Sequence, residues 1–299
     1  MRISFCSDYA VELPPHHRFP MRKFSALFEL LCAERVVTPR DIMNPRQADW
    51  ADLRLVHTPE YLAALERGAL SAAQLRRLGF PWSPALVRRS RAAAQGTINA
   101  GRAALRDGIA GNLGGGTHHA FPDRGEGFCV LNDVAVAIRV LQRDGDIRRA
   151  LVVDLDVHQG NGTAAIFADD SSVYTFSVHA ERNYPFHKIA SRRDVALPEG
   201  AGDDMYLAAL DANLPDAIRE SRPDLVFYLA GVDPVAGDRL GRLALTRAGL
   251  HARERSVLKA LRDANLPIAI VLAGGYAPTP EQTAELHAVA HREAASLFR

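Results

Sequence analysis

Several short apolar runs recur along the chain, and each ends in small or polar residues. The run 150–153 leads into Asp154-Leu155-Asp156-Val157-His158, and 173–178 leads into His179. The run 225–229 leads into Ala230-Gly231-Val232-Asp233, and 268–272 into Ala273-Gly274-Gly275-Tyr276. Continuous apolar runs of this kind mark strands buried on both faces. Between them the apolar spacing lengthens to that of a helix. It predicts helices over 84–107, 215–220 and 250–264, and over 133–142, where Asn132 is the cap and Val134, Ala137, Ile138 and Leu141 are the apolar positions. Strands alternating with helices predict an α/β fold, a parallel sheet with helices on both faces. No repeat, low-complexity stretch or linker interrupts the pattern, so one domain over 1–299 is expected. Ligands bind beyond the carboxyl ends of parallel strands, so the polar clusters should converge on one pocket.

Composition narrows the setting. Hydrophobic residues at 47% and charged residues at 24% are ordinary globular values, and the formal net charge is +1. That charge gives no reason to expect nucleic acid or an anionic membrane as partner. The cysteines, Cys6, Cys32 and Cys129, are odd in number and lack C-x-x-C spacing. They imply neither a disulfide framework nor a cysteine zinc site, and a reducing, cytoplasmic location is expected. Residues 1–8 are too short and interrupted for a signal peptide, and no run reaches the ~18–20 apolar residues of a membrane span. Lysine occurs only at Lys23, Lys188 and Lys259, which reads as compositional habit without functional weight.

Residues two apart on a strand share a face, which groups Asp154, Asp156 and His158 opposite Leu155 and Val157. Two carboxylates and an imidazole on a buried face are costly unless a cation neutralises them. Asp and His suit zinc and also Fe(II). The competing reading makes the aspartates loop caps and His158 a satisfied polar residue; Gly160-Asn161-Gly162, which lets the backbone turn tightly under a ligand, favours a site. An open zinc site needs a third protein ligand, for which Asp233 is the natural candidate; its alternative is a helix N-cap.

Gly114-Gly115-Gly116-Thr117 precedes an adjacent pair, His118-His119, which can differ in tautomer if each ring finds its own partner. One could then abstract a proton while the other stabilises charge. His16-His17 is the same dipeptide without such a setting and is expected to be a surface or loop pair. Tyr276, after Gly274-Gly275, could donate to an oxyanion or simply bury its ring with a wet hydroxyl.

Taken in order, five segments resemble the zinc-dependent histone deacetylase superfamily: Gly115-Gly116-Thr117-His118-His119-Ala120; Gly127-Phe128-Cys129-Val130-Leu131-Asn132-Asp133; Asp154-Leu155-Asp156-Val157-His158-Gln159-Gly160-Asn161-Gly162; Gly231-Val232-Asp233 with Gly237-Asp238-Arg239-Leu240-Gly241; and Gly274-Gly275-Tyr276. The resemblance runs from about His57 to Tyr276. It implies an arginase-like three-layer fold with a central, mainly parallel eight-stranded sheet. It implies Asp156, His158 and Asp233 as zinc ligands, His118 and His119 as paired catalytic histidines and Tyr276 as oxyanion donor. Asp154 matches the carboxylate behind His118, and Asn161 stands where many members have Asp behind the second histidine. Gly127 and Phe128 match tunnel-wall positions and Leu240 a rim position. Asp154, Ser177 and Val178, with the backbone of Asp156 and His158, match a structural potassium site. The implied activity is metal-assisted hydrolysis of an acylated lysine or small acylated amine, with His119 as general base, then acid, and His118 tuning the electrostatics.

Three features refine the expectation. His158-Gln159-Gly160-Asn161-Gly162, Asp123-Arg124-Gly125-Glu126-Gly127-Phe128-Cys129 and the stretch 84–107 resemble the class IV-like branch, whose preference for longer fatty acyl chains then stands beside acetyl. Asn161 in place of Asp should make His119 less basic. The loop Leu78-Gly79-Phe80-Pro81-Trp82 shows no clear match to the acidic residue with which many members hold the substrate backbone, and Leu240 stands where polyamine-specific members carry Glu, ranking polyamines below acyl-lysine. An arginase-type two-metal hydrolase leaves His118-His119 and Tyr276 without a place. A non-catalytic acyl-group reader has no need of the full catalytic set. A small-molecule deacetylase, including acetoin-utilisation-like relatives, stands beside protein deacylation.

Overall fold

The computed structural model describes residues 1–298. Its strands are β1 (Arg2–Ser4), β2 (Ile42–Met43), β3 (Ile109–Asn112), β4 (Ala150–Asp154), β5 (Val173–Ala180), β6 (Arg193–Leu197), β7 (Leu225–Leu229) and β8 (Ile268–Val271). They form one eight-stranded sheet in the order β2-β1-β3-β8-β7-β4-β5-β6. Every neighbouring pair is parallel, so the sheet expected to be mainly parallel is wholly so among the described residues.

The helices are α1 (Lys23–Ala33), α2 (Trp50–Leu53), α3 (Pro59–Arg67), α4 (Ala72–Leu78), α5 (Pro84–Asp107), α6 (Asp133–Arg143), α7 (Asn161–Ile166), α8 (Asp203–Ser221), α9 (Arg247–Asp263) and α10 (Pro280–Leu297). Helix α5 has the bounds its spacing predicts, because Ser83 accepts from the Leu86 N–H at 3.1 Å and Gly108 ends it. Asn132 caps α6 as expected, accepting from the Ala135 N–H at 3.0 Å. Helix α8 begins well before Pro215, which lies inside it and marks no start. Helix α9 begins at Arg247 because Thr246 accepts from the Gly249 N–H at 3.0 Å.

Side-chain alternation along the strands builds two cores. Val152, Phe227, Leu229, Ala269 and Val271 pack with apolar residues of α1, α5 and α6. Leu151, Val153, Val226, Tyr228 and Ile270 pack with those of α8, α9 and α10. Helices therefore cover both faces, giving the expected three layers. Strand β4 pairs with β5 on one side and β7 on the other, so chain order reverses between β4 and β7. That crevice is where an open parallel sheet places a ligand.

The pattern understates the sheet where strands are brief or mixed. Strands β1 and β2 have three and two residues, β3 contains Gly111 and Asn112, and the edge strand β6 is half exposed. The pattern overstates β4, which stops at Asp154 and leaves Asp156 and His158 on a loop. Conversely His179, read as following its strand, lies within β5. Among the described residues no helix is long and apolar enough to cross a membrane.

Two buried imidazoles set a prediction for stability. His57 lies between Phe121 O and the Asn132 N–H, both 3.0 Å from its ring nitrogens, which fixes a neutral tautomer. His291 on α10 is fully buried, and neither ring nitrogen has a partner among the described residues. Burial lowers each from 6.5 to about 4. Between those values the unfolded chain binds more protons than the native one. The contribution of these two histidines should therefore be level above pH 6.5 and fall as the pH drops toward 4, each adding on the order of 3 kcal/mol to the loss. Urea midpoints across that window should show the slope, and His291→Leu should remove about half of it without lowering the neutral-pH midpoint.

Candidate active site

The loops after β4, β7 and β8 meet in the crevice between β4 and β7. Beyond Asp154 the chain makes two side-chain turns: the Asp156 N–H donates to Asp154 Oδ1 at 3.1 Å and the His158 N–H to Asp156 Oδ1 at 2.9 Å. These local bonds replace the sheet ladder and keep the three side chains in step after the strand has ended. Behind them, the fully buried Arg253 of α9 donates to Leu155 O at 3.2 Å and Gly231 O at 2.8 Å, tying the β4 and β7 loops together. Arg253 is paired with Glu254, whose other oxygen accepts from the Tyr228 hydroxyl at 2.6 Å.

Asp233 is no helix cap; it lies in the turn after β7, where its Oδ1 accepts from the Val157 N–H at 2.9 Å. Its Oδ2 is buried and makes no hydrogen bond, although His158 Nδ1 lies 3.2 Å away, outside hydrogen-bonding alignment. The same Nδ1 is 3.0 Å from Asp156 Oδ1. One ligand atom from each of Asp156, His158 and Asp233 lies within 4.8 Å of the others, all three residues buried. Burial and then Asp156 push Asp233 up to about 7. His158 rises to about 10, because Asp156 and Asp233 together outweigh the burial that opposes its charge. A proton held among these groups supplies the positive charge that a divalent cation would supply. The donor set, with its unpartnered Oδ2, fits such an ion. Gly274 is required here: its N–H donates to Asp156 Oδ2 at 2.6 Å, and a Cβ would fall onto Asp233 Oδ2.

Asp133, at the start of α6, holds the glycine-rich loop that carries the histidine pair. Its carboxylate accepts from the Gly116 and Thr117 N–H groups at 3.1 and 2.8 Å and from the Thr117 hydroxyl. Gly116, at φ +76°, passes so close to the β8 loop that a Cβ would lie 2.5 Å from the Ala273 nitrogen. The rings of His118 and His119 are 4.1 Å apart and have different partners. His118 Nδ1 lies 2.7 Å from Asp154 Oδ2, and His119 Nδ1 lies 2.7 Å from Asn161 Oδ1. Burial opposes charge on both. Asp154 and Asp156 overcome it at His118, which rises to about 9. At His119 burial is reinforced by His118 and His158, and its value falls well below the ordinary 6.5. The adjacent histidines are thus electrostatically distinct, one cationic and one neutral.

A cavity of about 460 Å3 opens above these groups, with His119, His158, Tyr276, Gly127, Phe128 and Leu240 in its lining. Phe128, at φ +66°, is held in the wall by its N–H donating to Leu78 O at 2.8 Å. His17 supports this wall, with Nε2 2.9 Å from Gly79 O and its ring stacked on Phe80 at 5.4 Å. His16 and His17 both lie in a loop, as expected, with His16 exposed; His17 alone also packs into the wall. Burial, then Asp156 and Asp233, push the Tyr276 phenol well above 10, which keeps it a donor. Ser177 lies opposite Asp154 in the β4–β5 register, so the two proposed potassium-site residues are neighbours, with Val178 next along β5.

Several site residues were assigned no role from the sequence. Glu126 lies behind Asn161: its Oε1 accepts from the Tyr184 hydroxyl at 2.6 Å and from Asn161 Nδ2 at 3.4 Å. Tyr184 meets His119 edge-on at 4.8 Å. Lys23, dismissed as compositional habit, is fully buried and donates to Ala273 O at 3.0 Å and Gly275 O at 3.4 Å, bracing the segment before Tyr276. Burial lowers it to about 8, against the pull of Asp233 and Asp156. A buried lysine is legible only once its surroundings are known.

A family model described as the histone deacetylase domain matches residues 17–292. The chain is 48% identical to an uncharacterized protein of Picosynechococcus over 97% of each chain. It is 34% identical to histone deacetylase 2 of Arabidopsis thaliana, covering 87% of this chain and 70% of that one. It is 27% identical to the acetoin utilization protein AcuC of Staphylococcus aureus, covering 87% and 72%. The crystal structure of the HDA15 HD domain matches in fold with a TM-score of 0.80 at 24% identity, over 100% of this chain and 90% of that one.

The Glu126–Asn161 contact yields a charge-balance prediction. Asn161→Asp would set a second carboxylate beside Glu126 and should lower the melting temperature, whereas Asn161→Asp with Glu126→Gln should recover most of the loss. A coupling energy of about 1 kcal/mol or more in the thermal double-mutant cycle is expected.

Proposed function

The chain belongs to the histone deacetylase family, and on that premise we propose that it hydrolyses the amide between an acyl group and a lysine side chain. Membership makes it a hydrolytic deacetylase. The whole chain serves as one catalytic domain in this reading, working in a reducing, cytoplasmic setting. The observation that carries it is Asp233 Oδ2, a buried carboxylate oxygen without a hydrogen bond, set with Asp156 and His158 beneath a cavity lined by His119 and Tyr276.

Asp156, His158 and Asp233 would hold zinc, which when bound supplies a Lewis acid that polarises the acyl carbonyl. His119, neutral and oriented through Nδ1 by Asn161, presents Nε2 to take a proton from the attacking water. The new C–O bond forms as that proton is held on His119, and the C–N bond breaks as the proton passes to the departing amine. His118, held cationic by Asp154, stabilises the negative charge that develops, and Tyr276 donates its hydroxyl to the oxyanion. Gly127 and Phe128 shield the alkyl chain of the substrate, and Leu240 contributes at the mouth. Asp154, Ser177 and Val178, with the backbone carbonyls of Asp156 and His158, would hold a structural potassium ion, offsetting the buried charge of Asp154.

The sequence signals of the class IV-like branch stand with Asn161 facing His119. They carry with them the expectation of longer acyl chains, but the space beneath the histidines weighs against it. It measures about 40 Å3, room for a few water-sized groups. Acetyl is therefore the better substrate in this reading.

An acyl panel on lysine peptides and free acetylated amines, with zinc-loaded protein, tests the proposal. Acetyl-lysine should be turned over faster than myristoyl-lysine, and chelation should abolish turnover until zinc is restored. Tyr276→Phe should reduce kcat by about 10²–10³, and undiminished activity would remove Tyr276 from the mechanism. Asp233→Asn should weaken zinc binding, measured directly by metal titration.

A further inference from the structure

The outer half of the cavity is unlike its base. Its lining contains three arginines, Arg18, Arg239 and Arg242, and no carboxylate. A smaller adjoining cavity of about 320 Å3 is lined by Arg18, Arg239, Leu240 and Tyr276 alone. Two arginines thus line a side pocket together with the proposed oxyanion donor.

The carboxylates that could neutralise them are engaged elsewhere. Asp238, next to Arg239, is turned to the backbone, accepting from the Leu240, Gly241 and Tyr276 N–H groups at 2.8, 2.9 and 2.6 Å. Glu126 is taken up by Tyr184 and Asn161. Glu199 pairs with Arg242 at 3.3 Å on the exposed outer side. Arg18 and Arg239 make no ion pair among the described residues. Arg239 is nevertheless ordered, donating from Nε to Tyr276 O at 3.2 Å and from Nη2 to Arg18 O at 3.4 Å. The bond to Arg18 O ties the two arginine-bearing segments together. Also in the lining, Phe186 is 89% exposed, offering an apolar surface.

We propose that Arg18 and Arg239 form an anion subsite at the mouth, and that the preferred substrate is an acylated amine carrying a carboxylate at the end of its alkyl chain remote from the scissile amide. This rests on the deacylase reading above and names the substrate class of the same site. Guanidinium groups match carboxylates in geometry, and fixed charge at a concave mouth raises the local concentration of its counter-ion. A cationic polyamine meets the opposite field. The carboxylate could be the free α-carboxylate of an acylated lysine or an acidic side chain flanking acyl-lysine in a protein.

The test uses zinc-loaded full chain and matched substrates: Nε-acetyl-lysine with a free α-carboxylate against its amide, acetyl-lysine peptides flanked by Glu against Lys, and N-acetylputrescine. The anionic member of each pair should have the higher kcat/KM by about tenfold at low ionic strength, shrinking as salt rises. A preference confined to the free carboxylate identifies a small molecule, and one confined to the Glu-flanked peptide identifies a protein segment. Arg18→Glu and Arg239→Gln should bring the anionic-to-neutral ratio toward one. A ratio within twofold of one for every pair, or a preference undiminished in both variants, would overturn the anion subsite while leaving the deacylase reading intact. Hydrolysis of none of the substrates would instead overturn the deacylase reading. Calorimetric binding of the carboxylate and amide pair then decides the subsite: tighter carboxylate binding lost in Arg18→Glu supports it, and equal binding refutes it.

Discussion

Asp154, Asp156 and Asp233 bring three carboxylates into the interior at the carboxyl ends of β4 and β7, and the surrounding structure is organised by the cost of holding that charge away from water. Backbone N–H groups of Asp156, Val157, His158 and Gly274 point at the carboxylate oxygens. His118 and His158 add imidazoles, and Lys23 contributes a buried cation from α1. Arg253 braces the same loops from the far side, its own charge met by Glu254. After these partners are counted, one oxygen, Asp233 Oδ2, is left without a hydrogen bond, and that deficit is the physical case for a cation.

The same concentration of charge divides the histidine pair. Nothing in the two side chains distinguishes them; their neighbours do. Asp154 faces one ring and the neutral amide of Asn161 faces the other, so burial is overcome at His118 and prevails at His119. Glu126 stands one residue further back, where it orders Asn161 and Tyr184 without placing a carboxylate against His119. A neutral base beside a cationic partner is an arrangement suited to proton transfer next to developing negative charge.

Charge changes sign from base to mouth. The floor is acidic and calls for cations; the outer lining is arginine-rich and has no carboxylate. Leu240 and Phe186 add apolar surface between these two regimes. On the proposed reading, a substrate entering this cavity would be sorted at the mouth by its charge and at the floor by its acyl group.

Four short apolar runs announced β4, β5, β7 and β8, because a strand buried on both faces leaves its signature in neighbouring residues. Helix α5 was equally legible, its caps being local. So were the residues at the strand ends, since a parallel sheet gathers its carboxyl ends whatever the loops do. Other features had no local trace. The spacing of Asp154, Asp156 and His158 looks like strand alternation, yet side-chain turns produce it. Asp133, Lys23, Arg18, Glu126 and Tyr184 acquire their roles from partners up to 252 positions away. The sequence by itself determined which segments bury and which side chains end them, because those preferences act over a turn or a strand. Only the tertiary structure decided which charges meet, because the energy of a buried ion depends on what surrounds it in space.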